Sequence, residues 1–131
     1  MSFEVEVRAA DDTALGTAGP NTVAIGSGAH GLNGGQLLHL AVAGCVSNDL
    51  YREAALRGIE LTRVVVRVTG GFAGEPAVSD GITYDVEVDG NASEHDLRAL
   101  ADHVDAIAEI PNSLRNGTAV RLGTARVSGD G

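Results

Sequence analysis

The chain carries one side chain suited to nucleophilic redox chemistry, Cys45, its only cysteine. A thiol reacts as its thiolate, which needs a helix N-terminus or a nearby cation to form at neutral pH. Cys45 sits in Val42-Ala43-Gly44-Cys45-Val46, an apolar run that offers an anion nothing. It also lies several turns into a predicted helix, and the helix dipole fades within the first turn. Its residues therefore support two readings, a reactive thiol and a small buried hydrophobe.

The other chemically capable residues form no constellation in the sequence. His30, His39, His95 and His103 are scattered, and none stands four residues from another histidine or from Cys45. His39 and Cys45 are six apart, which places them on different helical faces. No metal site is expected, and one cysteine excludes both an internal disulfide and a cysteine-rich zinc site. Asp49, Arg52 and Glu53 read as a solvated face. Ser47 and Ser113 have no visible base and no nucleophile elbow. Gly26-Ser27-Gly28-Ala29-His30-Gly31 matches G-x-G-x-x-G after a short strand. A dinucleotide turn needs its helix to begin inside the glycines. Here the helix begins only near Gly34, and the acidic residue about 20 positions on, Asp49, lies within that helix. The stretch reads as an approach loop, and no cofactor is expected.

The element that must position Cys45 is a long helix from Gly34 to Gly58. Leu37–Val46 is apolar on almost every side, broken only by His39, as in a helix buried all round. From Asn48 on, Asp49, Arg52, Glu53 and Arg57 are expected toward water, and Leu50, Ala54 and Leu56 inward. Gly58 is placed to close the helix in the left-handed conformation. A chain of 131 residues can hardly bury such a helix alone, so a second subunit is expected to cover part of it.

Before this helix, Phe3–Arg8 alternates as a half-buried strand, Asp11-Asp12 marks a turn, and Thr13–Ala18 and Asn21–Ile25 are short strand candidates. After it, Leu61–Thr69 and Ile82–Asp89 alternate as strands, with Gly70–Gly81 read as a loop. Antiparallel pairing lets Arg63 and Arg67 meet Asp85 and Glu87 on the outer face, at ~0.2–1 kcal/mol per pair. Ser93 caps a second helix, with Asp96 in a loose capping box, and Leu97, Leu100, Ala101, Val104, Ile107 and Ala108 on one face. Pro111 is expected to end it. Asn116-Gly117 is a turn, Thr118–Val127 a last strand with Val120 and Leu122 inward, and Ser128–Gly131 a mobile tail. The order predicts an α+β fold in a single domain, residues 1–131, with helices against a largely antiparallel sheet.

Composition narrows the partners. The formal net charge of −9 argues against nucleic acid, which needs clustered Lys and Arg. The apolar run Leu37–Val46 is far shorter than the ~20 residues of a membrane span. Met-Ser-Phe-Glu-Val-Glu-Val shows no signal peptide, so a cytoplasmic location is expected.

One family pattern emerges when the pieces are read together. A glycine-rich loop leads into Gln36-Leu37-Leu38 and Ala41-Val42-Ala43-Gly44-Cys45. Arg57-Gly58-Ile59 and a Val-rich strand follow, and much later Ile110-Pro111-Asn112-Ser113. The stretch from about Asn33 to Val120 resembles the OsmC and organic hydroperoxide resistance (Ohr) superfamily. Its first signature reads roughly N-P-E-x-L-x-x-A-x-x-A-C and its second C-P-x-S. The resemblance implies an intertwined α+β homodimer with the two long helices at its centre and thiol sites at the interface. It implies reduction of organic hydroperoxides by a peroxidatic cysteine, resolved by the second-signature cysteine and assisted by an arginine and the signature glutamate. Cys45 matches the peroxidatic position. Ile110 stands at the resolving position, and Gly34-Gly35 replace Pro-Glu. Arg8 is the only arginine in the N-terminal segment; Arg115 and Arg121 are candidates by elimination. A one-cysteine reductase would then need an external thiol. The alternative is a non-catalytic dimer binding a small apolar ligand at the subunit interface.

Overall fold

The computed structural model describes residues 1–10 and 13–130, so the predicted turn at Asp11-Asp12 lies outside the described residues. Its longest element is α1, Gly34–Leu56. Asn33 starts it with a full capping box. The Gln36 amide donates to Asn33 Oδ1 at 2.8 Å, and the Asn33 amide donates to Gln36 Oε1 at 3.0 Å. At the other end Gly58 adopts φ 68°, and Gly58 and Ile59 return hydrogen bonds to the carbonyls of Ala55 and Ala54 at 3.1 and 2.9 Å. This is the Schellman closure expected of a glycine there.

Two antiparallel sheets flank this helix in sequence. The first joins β1 (Glu6–Ala10), β2 (Thr13–Ala18) and β3 (Asn21–Ala24) in that order. The second is the hairpin of β4 (Leu61–Ala73) and β5 (Val78–Gly90). Val64, Val66 and Val68 pair with Val88, Val86 and Tyr84, and their shared face packs on α1 and on α2 (Glu94–Ile107). On the outer face Arg67 pairs with Glu87, and Arg63 reaches Glu87 and Asp89 at 3.6 and 3.7 Å. Glu87, not the directly opposed Asp85, is the shared acceptor, because long arginines reach diagonally across the pleat. The core lies between α1, α2 and this hairpin and is built on Val46, Leu50, Ala54, Leu100, Val104 and Ala108.

Several expectations change. The segment Gly70–Gly81 is mostly strand, since Phe72 pairs with Ser79 and Ala73 with Val78 across a bulge after Gly70. Glycine serves that bulge for a packing reason. A Cβ on Gly70 would stand 2.6 Å from His39 Nε2 and 2.7 Å from the Gly81 carbonyl. The hairpin thereby reaches the start of α1, where Phe72 meets His39 edge-on at 6.0 Å. Pro111 does not end the second helix. α2 stops at Ile107, Ala108 turns extended, and a further helix α3, Glu109–Arg115, carries Pro111 buried in its first turn. There proline's missing N–H has no helical acceptor to lose. β1 is exposed throughout rather than half-buried. Thr118–Val127 is exposed and forms no strand within the chain. A strand needs a partner as well as an alternating pattern, and the pattern alone was visible.

α1 is not enclosed. Val42, Val46, Asp49, Leu50 and Ala54 form its buried side, whereas Leu40 is 55% and Leu56 76% exposed. Leu56, expected inward, lies exposed at the last position of the helix. Asp49, expected in water, is only 5% exposed. It falls three residues after Val46, on the buried stripe, and the exposed Arg52 reaches it with one guanidinium nitrogen 2.9 Å from Oδ1.

Candidate functional site

Cys45 lies midway along α1, half-buried and reduced, against the core of Val46, Leu50, Leu100, Val104 and Ala108. The apolar contact explains its placement, and the residue stays partly exposed. Val42, one turn earlier on the same helix, forms part of the wall of a cavity of about 340 Å³ between α1, β5 and α3. Ile82, Tyr84, Pro111, Leu114 and Arg115 line it with Val42. Val42, Ile82, Pro111 and Leu114 form the apolar part of the wall, and Ser79, Tyr84 and Arg115 supply polar atoms. Such a cavity takes a small apolar molecule with one hydrogen-bonding end.

The polar end is organised by Asp105 of α2. The Tyr84 hydroxyl donates to Asp105 Oδ1, and Arg115 donates to the same oxygen at 2.7 Å. Arg115 also donates to the Asp105 carbonyl at 3.0 Å and to Asn112 Oδ1 at 2.8 Å. Burial and then the Asp105 carboxylate push the Tyr84 phenol up to about 12. The Tyr84 hydrogen bond, followed by Arg115, holds the Asp105 carboxyl below its ordinary range. Asp105 in turn raises Arg115 above its usual value. Arg115 is thus a neutralised, fixed cation at the cavity.

The remaining sequence candidates separate. Arg8 pairs at the surface with Glu6 on its own strand at 3.1 Å. Arg121 lies exposed beyond α3. His39 turns its Nδ1 to the Gly35 carbonyl at 2.6 Å, six residues from Cys45 and engaged with Phe72. His103 meets Glu53 at 2.9 Å across α1 and α2, while His30 and His95 are exposed. Ser113 donates to the Glu109 carbonyl at 2.7 Å. Asp49 Oδ2 and His39 Nε2 are buried without a hydrogen-bond partner among the described residues. Ile110 is half-buried beside Pro111 at the start of α3. Among the described residues no cluster of three His, Cys, Asp or Glu side chains could hold a metal ion, and no helix is long and apolar enough to cross a membrane.

The G-x-G-x-x-G loop folds back on itself. A short 3-10 turn spans Gly28–His30, and Ile25 bridges Leu32. A Cβ on Gly31 would meet the Ala24 backbone at 2.7 Å, so this glycine serves the loop's own close return. α1 begins only after Asn33, and its capping box occupies the amide of Gln36. Of the residues around the cavity, sequence reading missed Tyr84 and Asp105. Tyr84 is one residue of an alternating strand, and Asp105 lies off the apolar face read for the second helix. Only the packing of α2 and α3 against β5 joins them.

Comparison with known proteins places this arrangement. The family model described as "OsmC-like protein" matches residues 26–123. The OsmC-like protein of Mycoplasma pneumoniae superposes with TM-score 0.78 at 16% identity, covering 90% of each chain. An OsmC-like protein of unknown function from Vibrio cholerae gives TM-score 0.71 at 8% identity, over 86% of this chain and 93% of that one. An organic hydroperoxide resistance protein of Bacillus subtilis gives 0.62 at 16% identity, over 89% and 93%. Among curated proteins none matches the sequence.

Proposed function

Because the chain belongs to the OsmC-like protein family, which its family match over residues 26–123 establishes, we propose that it is a one-cysteine, thiol-dependent reductase of organic hydroperoxides. The observation that carries this reading is Cys45 itself. It occupies the middle of the long helix as a half-buried residue, one turn from Val42 in the wall of the cavity. The thiolate attacks the terminal oxygen of the hydroperoxide, the O–O bond breaks, and the alcohol leaves. Cys45 is then a sulfenic acid. With Ile110 at the family's resolving position, no second cysteine exists to condense with it. An external thiol attacks the sulfur and releases water, leaving a mixed disulfide. A second thiol displaces Cys45 and carries away both oxidising equivalents as its own disulfide.

The working unit in this reading is a homodimer. One chain exposes 9835 Å², whereas a compact chain of 13.3 kDa exposes roughly 6,500 Å². Two copies would therefore bury several thousand Å² between them, the class of obligate dimers at about 2,000–5,000 Å² and more. The open stripe of α1 around Leu40 fits such a contact.

A second reading has its own support. Within one chain Arg8, Arg115 and Arg121 are either paired with carboxylates or exposed on other elements, so none is committed to Cys45. A thiol with no cation is inert. The protein would then use its cavity to hold a small apolar ligand without turnover. Cys45 alkylation separates the two. The reductase reading expects fast labelling of the folded protein at neutral pH and consumption of cumene hydroperoxide with a dithiol. Labelling only in denaturant, with no peroxide consumed, would leave the binding reading.

A further inference from the structure

The cavity between α1, β5 and α3 has a polar end whose charges already cancel. Tyr84 and Arg115 stand in its wall, and both bond to Asp105. Three bonds fix the guanidinium. Nη2 donates to Asp105 Oδ1 at 2.7 Å, and Nη1 donates to the Asp105 carbonyl at 3.0 Å and to Asn112 Oδ1 at 2.8 Å. A guanidinium has more N–H donors than these. Nε–H and the second hydrogen of Nη2 keep no hydrogen-bond partner among the described residues. The Tyr84 hydroxyl gives its hydrogen to Asp105 Oδ1, and its own oxygen retains lone pairs. Both groups end on one carboxylate oxygen, so a spare donor and a spare acceptor are neighbours at one point of the wall.

Charge decides what such a pair can hold. An arginine fork facing an apolar cavity ordinarily seats a carboxylate. Here the Asp105 carboxylate already has that place, and the pair is neutral. A second carboxylate at Arg115 would lose part of its water and stand beside Asp105, and like charges side by side oppose binding. The rest of the chain adds no attraction, with a formal net charge of −9. A neutral hydroxyl meets neither cost. Its oxygen accepts from Arg115, and its hydrogen goes to the Tyr84 oxygen.

Resting on the reading that this cavity seats the organic body of the ligand, we infer that it selects neutral molecules ending in a hydroxyl or hydroperoxyl group. Asp105 is the positioning residue that turns away their carboxylate counterparts. Val42, Ile82, Pro111 and Leu114 cover the hydrocarbon part.

The test reads binding rather than turnover, in the full-length reduced protein, with octanol and octanoate as probes at neutral pH. Titrations followed by amide NMR shifts locate the site and give both dissociation constants. A plain apolar pocket favours the alcohol whatever stands at position 105, so the decisive quantity is the change on Asp105→Asn. The inference expects octanoate to bind about tenfold more tightly in that variant, with octanol little changed. Arg115→Met should weaken octanol about tenfold, where a plain apolar pocket would bind it at least as well. Octanoate binding unchanged in folded Asp105→Asn protein would overturn the inference. So would octanol binding unchanged in Arg115→Met, which decides the matter if Asp105→Asn does not fold. Octanol that fails to bind, or binds without shifting the amides around Tyr84 and Leu114, would also overturn it. The reductase reading fails separately. An inert Cys45 removes the reaction and leaves this selectivity standing.

Discussion

At the scale of single residues, the account rests on one sulfur and on a set of groups that do not reach it. Cys45→Ser should abolish peroxide consumption while leaving the helical signal and the oligomeric state unchanged, which circular dichroism and native mass spectrometry can check. The Tyr84–Asp105–Arg115 cluster makes a separate prediction with a definite sign. The carboxyl of Asp105 is lowered by the Tyr84 hydrogen bond and then by Arg115, so its contribution is present above the ordinary carboxylate value. That contribution is lost as pH falls through the lowered folded value. Tyr84 acts at the other end. Its phenol is raised from 10.0 to about 12, so its contribution holds below the ordinary phenol value and is lost as pH rises toward 12. Asp105→Asn should therefore flatten the acid limb of stability against pH in urea titrations. An unchanged acid limb would show that the cluster does not couple to folding.

Elements decide where these residues stand. Leu100 is fully buried between α1 and α2, and Leu100→Ala should cost about 2–5 kcal/mol in denaturant unfolding. Asn33→Ala removes the capping box that starts α1 and should cost about 1 kcal/mol. Much of this layer was legible in the sequence. The stop of α1 could be read because Gly58 acts through local hydrogen bonds, and its start near Gly34 because the glycine-rich loop ends there, although the Asn33–Gln36 capping box itself was not read. The alternation of Val64, Val66 and Val68 likewise fixes one face of β4. What escaped was decided by distant partners. Gly70 looked like loop because its need for a missing Cβ comes from His39, about thirty residues earlier. Asp49 looked like solvent face because its burial depends on where α1 packs, with Arg52 pairing to it from the surface. Pro111 looked like a stop because the kink at Ala108 that lets a new helix begin leaves no local signature. The cavity was invisible for the same reason. Val42, Tyr84 and Arg115 come from three elements, and only their packing makes a site.

The whole molecule has an area that one chain does not account for. Its 9835 Å² of accessible surface, with Leu40 on the outer side of α1, is what the proposed dimer would cover in part. Leu40→Asp should leave the single chain's own core intact and break the dimer, read as a fall to monomer mass at micromolar concentration. The fold and its family leave the reaction itself to be tested on Cys45. The most direct measurement is intact mass after brief exposure to cumene hydroperoxide, with and without a sulfenic-acid trap. The account predicts gain of one oxygen on Cys45 at low peroxide, captured as the trap adduct and reversed by an added thiol. An unchanged mass, with Cys45 alkylated only after denaturation, would contradict it.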